Sequence, residues 1–510
     1  GKEIRMMKKE NALREAREYE AVHVPSVTEE ERPAVHLSCG IGWLNDPNGF
    51  SSYRGEYHLF YQYYPYATHW GPMHWGHAKT KDFIRWERLP AALAPDTEAD
   101  AAGCFSGGAL ALPDGRQLLV YTGVKNKSTE DGKSEVRQTQ CVAFGDGVDY
   151  HKYEKNPVLD EHDVPEGGSA EDFRDPKVWC EPDGTISMVV GNRAADGSGQ
   201  ILFYQSRDGL HWEFVSILAK CENVYGKMWE CPDFFALGDR QILIVSPQEM
   251  LAEGLEFHPG DNAIMLVGAF DREKKEFHRS YARAIDYGTD FYAPQTLLTE
   301  DGRRVMIGWM QNWASSSAVP AGARYFGEMT LPRELSYRNG RVLQQPVREL
   351  ERYRGERVAY ENVSVEREIS LPGVEGRVLD MTVRVRPAVA EQPFRYFKIH
   401  VAKGGAFYTT IRYEAETQTM RVDRLHSGFP RDIVNSRDFL IQADNHSVKL
   451  RIVLDKHSLE LFVGEGEQAA AFKLYTPQDA RGISFEAEGA AALIDVEKYE
   501  LIAPQEERKA

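Results

Sequence analysis

From residue 57 onward the chain repeats itself. Five strand-like runs of one type, at residues 57–63, 118–124, 186–193, 241–248 and 303–311, start 61, 68, 55 and 62 residues apart. Self-similarity at a steady period constrains a fold more than any local propensity does. Each run is followed by a second strand, then often by a polar turn and an aromatic strand, as in KTKDFIRWERL from Lys79, SRDGLHWEF from Ser206 and FDREKKEFH from Phe270. About sixty residues holding about four short antiparallel strands is the content of a propeller blade, and the lack of a 3.6-residue period excludes a helical solenoid. Five such units predict a five-bladed β-propeller.

The flanks read differently. Ile4, Met7, Leu13, Ala16 and Tyr19 are spaced among charges as on a surface helix over residues 3–20. QQPVRELERYRG, from Gln344, looks like a short charged helix and a natural linker. Beyond it VLDMTVRVR, YFKIHVA, FYTTIRYE, SVKLRIVLD, LELFV, FKLYT and ALIDVEKYEL alternate apolar with polar at hairpin spacing, the pattern of a two-sheet β-sandwich. The expected all-β organisation is an N-terminal helical extension (1–31), a propeller (32–343), a linker helix (344–356) and a C-terminal β-sandwich (357–510).

A net charge of -17 without a basic block disfavours nucleic acid and anionic membranes as partners and leaves room for a neutral ligand. No apolar run approaches the roughly 20 residues of a membrane span, and the charged N-terminus has no apolar signal core, so a soluble cytoplasmic protein is expected. Cys39, Cys104, Cys141, Cys180, Cys221 and Cys231 form no CxxC pair and read as reduced thiols. His74 and His77 alternate as in a strand and suit packing better than metal ligation. Neither a metal nor a cofactor is expected.

The innermost strand of each blade lines the propeller channel. Eleven residues before each repeated run stand Asp46 in WLNDPNGF, Gly107 in CFSGGAL, Asp175 in FRDPKVW, Glu230 in WECPDFF and Tyr292 in DFYAPQT. Aspartate before proline is a common turn device, but three carboxylates at one repeat phase would meet near the axis. There they raise one another's pKa, a cost usually tolerated for function. Two could divide glycoside cleavage, one ionised as nucleophile and one protonated as acid. The aromatics Trp43, Trp70, Trp75, Phe105, Trp229, Tyr292, Trp309 and Trp313 would offer flat faces to sugar rings.

These segments resemble, in order, the signature set of glycoside hydrolase family 32, the invertase, fructanase and sucrose-6-phosphate hydrolase group. They are WLNDPNG, WGPMHWGHA from Trp70, FSG from Phe105, RDP from Arg174, EC from Glu230, DYGTDFYA from Asp286, GWMQNW from Gly308 and LPREL from Leu331. DRLHSG from Asp423 and DKHSLELFVGEGE from Asp455 resemble the family's sandwich. The resemblance implies the same propeller-plus-sandwich fold and a retaining β-fructofuranosidase acting on sucrose and short fructo-oligosaccharides. It implies Asp46 as nucleophile, Glu230 as acid and base, and Asp175 as stabiliser of the transition state. Trp43, Asn45, Gln62, Trp70, Phe105, Ser106, Arg174 and Trp313 are implied as sugar contacts. HLSCGIGW before the nucleophile departs from the family's proline-rich pattern.

Rival substrates are sucrose 6-phosphate, which requires a cation near the glucose 6-position, and a second sugar as acceptor in fructosyl transfer. A non-catalytic sugar-binding propeller is the reading from a different class. Oligomeric state stays open, a homo-oligomer included, and the helical extension is expected to pack on the sandwich or on another subunit.

Overall fold

A computed structural model describes residues 10–429 and 433–504 of the chain; residues 3–9 of the expected helix and the last six residues of the expected sandwich lie outside them. Four sheets of four strands and one of five make the propeller. The five runs that carry the sequence repeat are the second strands of the blades, observed as Glu56–Tyr64, Gln117–Ser128, Ile186–Arg193, Arg240–Pro247 and Arg304–Trp309. They are buried along most of their length because each is covered on both faces by neighbouring blades, which is why they read as apolar runs and not as alternating strands. The innermost strands are Gly42–Tyr53, Gly103–Ala111, Phe173–Cys180, Trp229–Leu237 and Tyr292–Leu298. Ring closure uses a two-strand parallel pairing. Tyr325–Phe326, from an excursion of the fifth blade, adds to the first strand of the first blade at Gly42 and Trp43.

The linker is shorter than expected. Gln344 to Pro346 complete the outermost strand of the fifth blade, and Arg354 already opens the sandwich, so only Arg348–Tyr353 remains, as a 3-10 helix. Its Glu349 and Leu350 are buried, with Glu349 2.6 Å from Arg303. The sandwich has six strands on one sheet and five on the other. FKLYT corresponds to strand Gln468–Lys473 only in its first two residues. Among the described residues no helix is long and apolar enough to cross a membrane.

The helix α1, Ala12–His23, packs on the outer strand Trp86–Leu93 of the first blade and not on the sandwich. Glu20 accepts hydrogen bonds from the Ala91 N–H (2.9 Å) and the Tyr63 hydroxyl (3.1 Å), and Arg17 donates to the Ala91 carbonyl (2.9 Å). These contacts satisfy an edge strand that would otherwise face solvent.

The sandwich motifs in the sequence turn out to join the two domains. Strand Gln468–Lys473 is wholly buried, and its Ala469 and Ala471 carbonyls accept hydrogen bonds from Tyr287 N–H (2.9 Å) and Asp290 N–H (3.1 Å). Gly288 lies so close that a Cβ there would stand 2.1 Å from the Ala471 carbonyl oxygen. Around this contact runs a chain of buried charges. Arg333 reaches Asp286 (2.9 Å) and Glu460 (3.1 Å), and His36 bridges Glu460 (2.6 Å) and Asp455 (2.7 Å). Asp290 pairs with Arg424 at 2.6 Å. Burial alone would discharge His36 and both its partners. Their mutual hydrogen bonds and charges outweigh it, pushing His36 up to about 10 and holding Asp455 and Glu460 below the ordinary carboxylate values. Removing one member of such a chain leaves uncompensated buried charge. Arg333→Met is therefore expected to cost about 3–5 kcal/mol in chemical denaturation, whereas Arg348→Met, which breaks a solvent-exposed pair with Glu334, should cost under about 1 kcal/mol.

Candidate active site

All five innermost strands lose register with their neighbours at the same level of the channel. The pairs that bracket the irregularity are Leu44 and Pro47, Phe105 and Gly107, Arg174 and Lys177, Glu230 and Asp233, and Tyr292 and Gln295. Such bulges re-aim side chains that a regular strand would send to alternate faces. Within them the carboxylates do not share one phase. Glu230 is the first residue of its bulge, Asp175 the second and Asp46 the third, so the spacing of eleven marks the bulge and not an equivalent residue. Asp175, Cys231 and Ala293, each before a proline, have φ of 70°, 49° and 51°, a strained conformation for residues other than glycine.

The bulges bring the three carboxylates together. Cys231 lies among them, its Sγ 3.6 Å from Asp46 Oδ2 and 3.5 Å from Asp175 Oδ2, while its backbone N–H donates to Asp175 Oδ2 at 3.0 Å. Burial, and then the adjacent carboxylates, push the thiol far up, so Cys231 stays neutral and separates like charges. Thr122 Oγ1 accepts from the Asp175 N–H at 3.0 Å. Glu230 is gripped at both oxygens: the Tyr292 hydroxyl donates to Oε1 (2.6 Å) and Arg174 Nε to Oε2 (3.0 Å). Arg174 is itself held by Asp172 (2.7 Å) and Gln138 (3.2 Å). Burial works against its charge, but Glu230, Asp175 and Asp172 outweigh that and keep it a cation.

Asp46 differs from both. Its Oδ1 is buried with no hydrogen-bond partner, leaving lone pairs available to an incoming atom. Burial first, and then the charges of Glu230 and Asp175, push its carboxyl well above the ordinary range; burial and Glu230 likewise push Asp175 up to about 6.

The remaining expected contacts surround this cluster. Trp43 Nε1 donates to Asn45 Oδ1 at 2.7 Å, beside Asp46. Gln62, opposite the bulge of the first blade, donates to Asn48 Oδ1 (2.9 Å) and the Cys104 carbonyl (3.0 Å). Ser106 is the surplus residue of the second bulge and is buried. Trp313, on the excursion of the fifth blade, stacks toward Trp43 at 6.1 Å. Trp70 stands outermost, 44% exposed, with its ring edge-on to Phe105 at 6.1 Å. Trp75, Trp229 and Trp309 are fully buried core residues and offer no face to a sugar, and Trp43 is nearly as buried, at 2% exposure. Of the three only Trp229 stands on an innermost strand, and Trp309 packs against Trp43 at 6.0 Å. Tyr292 is buried too and offers its hydroxyl, not its face. His77 packs on Phe60 and meets His58 at 2.8 Å, a packing role.

Sequence reasoning missed Tyr292 as the partner of Glu230, together with Thr122, Gln138 and Asp172. Only the position of Asp172, two residues before Arg174, hinted at a role. A cavity of about 870 Å³ lined by Glu98, Lys125, Lys127 and Glu161 among others does not include the cluster; the carboxylates converge in the channel instead.

Comparison with known proteins gives the family. Residues 36–346 match the glycosyl hydrolases family 32 N-terminal domain, and residues 349–501 match the glycosyl hydrolases family 32 C-terminal domain. The chain belongs to glycoside hydrolase family 32. It is 34% identical to sucrose-6-phosphate hydrolase of Escherichia coli over 91% of this chain and 93% of that protein. It is 36% identical to raffinose invertase of Escherichia coli over 91% and 94%. Among solved structures, the family 32 β-fructofuranosidase BmSUC1 of Bombyx mori superposes with a TM-score of 0.81 at 34% identity, covering 97% of this chain and all of that one. A mutant of the same enzyme has been solved in complex with sucrose and superposes equally well. The family 32 protein described here is thus a glycoside hydrolase whose propeller brings together the buried Asp46 and Asp175 and the half-buried Glu230.

A carboxyl raised by folding holds its proton more tightly folded than unfolded. Its ionisation then weakens the fold as pH climbs above the unfolded value and has no effect below it. Asp46→Asn is expected to raise the melting temperature at pH 7 to 8, with the gain vanishing near about pH 4; calorimetry across that range checks it.

Proposed function

We propose that this β-fructofuranosidase cleaves terminal β-fructosyl units from sucrose and short fructo-oligosaccharides by double displacement, with Asp46 and Glu230 as the working pair. The observation that carries this reading is the unequal treatment of two carboxylates in one buried cluster: Asp46 has an unpartnered oxygen, whereas Glu230 is oriented by Arg174 and Tyr292. Asp46 Oδ1 attacks the anomeric carbon of the fructosyl ring as Glu230 gives its proton to the departing glycosidic oxygen, forming a fructosyl ester. Glu230, now a carboxylate, takes a proton from water, the water attacks the same carbon from the face the leaving group vacated, and Asp46 is released. Two inversions give net retention.

The cluster supports the proton inventory this requires. Burial and like charge disfavour three simultaneous anions, so the group retains a proton above the ordinary carboxylate range. Glu230, held by the Tyr292 hydroxyl and Arg174 Nε, is the member placed to hand that proton to the leaving group. Asp175, fixed by Thr122 and the Cys231 N–H, accepts hydrogen bonds from fructose hydroxyls that strengthen as positive charge develops on the ring. Asn45, Gln62, Ser106 and Trp43 line the deep end for the fructosyl unit, and Phe105, Trp313 and the exposed Trp70 meet the leaving group.

A cytoplasmic location agrees with six free cysteines.

Asp46→Ala is expected to reduce turnover by at least about 10⁴-fold with the fold retained, since a nucleophile and not a packing group is lost; circular dichroism with an activity assay checks it. Glu230→Gln should lose about 10²–10⁴-fold on sucrose and far less on p-nitrophenyl β-fructofuranoside, whose leaving group needs little protonation. A product assay at matched concentrations of sucrose, sucrose 6-phosphate, 1-kestose and inulin should rank sucrose and 1-kestose first.

A further inference from the structure

The helix α1 reaches the mouth of the active site through a relay of aromatic rings, a connection the proposed chemistry does not use. Twelve residues of helix are marginal on their own, and only Ala16 of α1 is fully buried. Its anchors are polar: Ala91 and Tyr63 on the first blade and, through Arg17, Asp149 of the second blade at 2.6 Å. They orient the last turn, where the Tyr19 ring stacks on His23 (3.8 Å between centroids, 17° between planes) and meets Tyr66 edge-on at 4.9 Å.

Tyr66 belongs to the loop at residues 65–73, which joins the second and third strands of the first blade and carries Trp70. The loop lies outside the sheet ladder, and rings organise it. Tyr66 is edge-on to Tyr64 at 5.6 Å and to His74 at 6.0 Å, the residues that flank the loop on its two sides. Gly71 folds against Tyr64 so closely that a Cβ would stand 2.6 Å from that ring. Trp70 precedes Gly71, and its carbonyl is 2.9 Å from His69 Nδ1. Ring contacts run from Tyr19 through Tyr66 to Tyr64, and Tyr64 touches the loop again at Gly71, the residue after Trp70, whose exposed ring stands at the channel mouth. Edge-on aromatic contacts impose direction as well as attraction, so the outer ring of the relay restricts where the inner one can point.

We infer that Tyr19 is a positioning residue for substrate specificity: from α1 it fixes the rim loop that presents Trp70 to the leaving group. The inference rests on the proposed placement of Trp70 at the leaving-group side. Loss of the Tyr19 ring releases the loop without touching the carboxylates, so leaving-group binding weakens while the chemical step is preserved.

The test is steady-state kinetics of Tyr19→Ala, Tyr19→Phe and Trp70→Ala on sucrose and on methyl β-D-fructofuranoside, whose leaving group is too small to reach the rim. Tyr19→Ala is expected to raise KM for sucrose about threefold to tenfold, with kcat within about twofold and methyl fructoside turnover unchanged. Tyr19→Phe keeps the ring edge and should recover the wild-type KM. Trp70→Ala should raise KM for sucrose at least as much as Tyr19→Ala. If Trp70→Ala discriminates between the substrates and Tyr19→Ala does not, the relay is refuted and the reading of Trp70 stands. If Trp70→Ala leaves sucrose unaffected, the reading of Trp70 is refuted and the relay with it. Equal losses on both substrates for Tyr19→Ala would reduce the helix to a structural support and overturn the inference.

Discussion

Like charges buried together repel, and this enzyme is organised around holding three carboxylates in one such place. Regular strands could not do it. A side chain in a strand alternates faces, and carboxylates from three blades would point into three different layers. The bulge that interrupts every innermost strand at one level of the channel gives each blade a locally different aim, and Asp46, Asp175 and Glu230 use three different positions of it. The strain at Asp175 and Cys231 belongs to the same arrangement. It persists because the blades on either side leave the backbone no alternative path.

The repulsion is managed unequally, and the proposed mechanism rests on that inequality. Glu230 receives a guanidinium and a phenol; Asp175 receives a hydroxyl-anchored backbone and an N–H; Asp46 keeps an oxygen without a partner. A neutral thiol stands among them. A group designed only for stability would have been paired throughout, as the charges between propeller and sandwich are. There, Asp286, Arg333, Glu460, His36 and Asp455 alternate in sign, and each buried charge has an opposite neighbour. The two clusters show the same protein using buried charge for two purposes, one closed on itself and one left open to a substrate.

Much of this was legible in the residues. The sixty-residue repeat located the second strand of every blade to within a few residues, because full burial makes those strands apolar throughout. The resemblance of the motifs to family 32 named the carboxylates that the structure brings together. Less legible was the phase: Glu230 precedes its proline by two residues and Asp46 and Asp175 by one, a difference the repeat absorbs and the pairing registers reveal. Trp43, Trp75, Trp229 and Trp309 look alike in the sequence, and the fold buries all four. The motifs around Asp286, Asp423 and Asp455 stood out without a visible purpose, since their partners lie far along the chain: Arg333 is 47 residues from Asp286, and His36 is 419 from Asp455.

The sequence by itself determined the all-β architecture, the number of blades, the two-domain plan and the identity of the acidic residues, since each is written in local pattern or motif. Only the tertiary structure decided which carboxylate is left with a free oxygen, which is gripped by Arg174 and Tyr292, and that the N-terminal helix leans on the first blade and not on the sandwich. Those outcomes depend on contacts between segments far apart in the chain, and side-chain direction at a bulge is set by the neighbouring strand and not by the residue that occupies it.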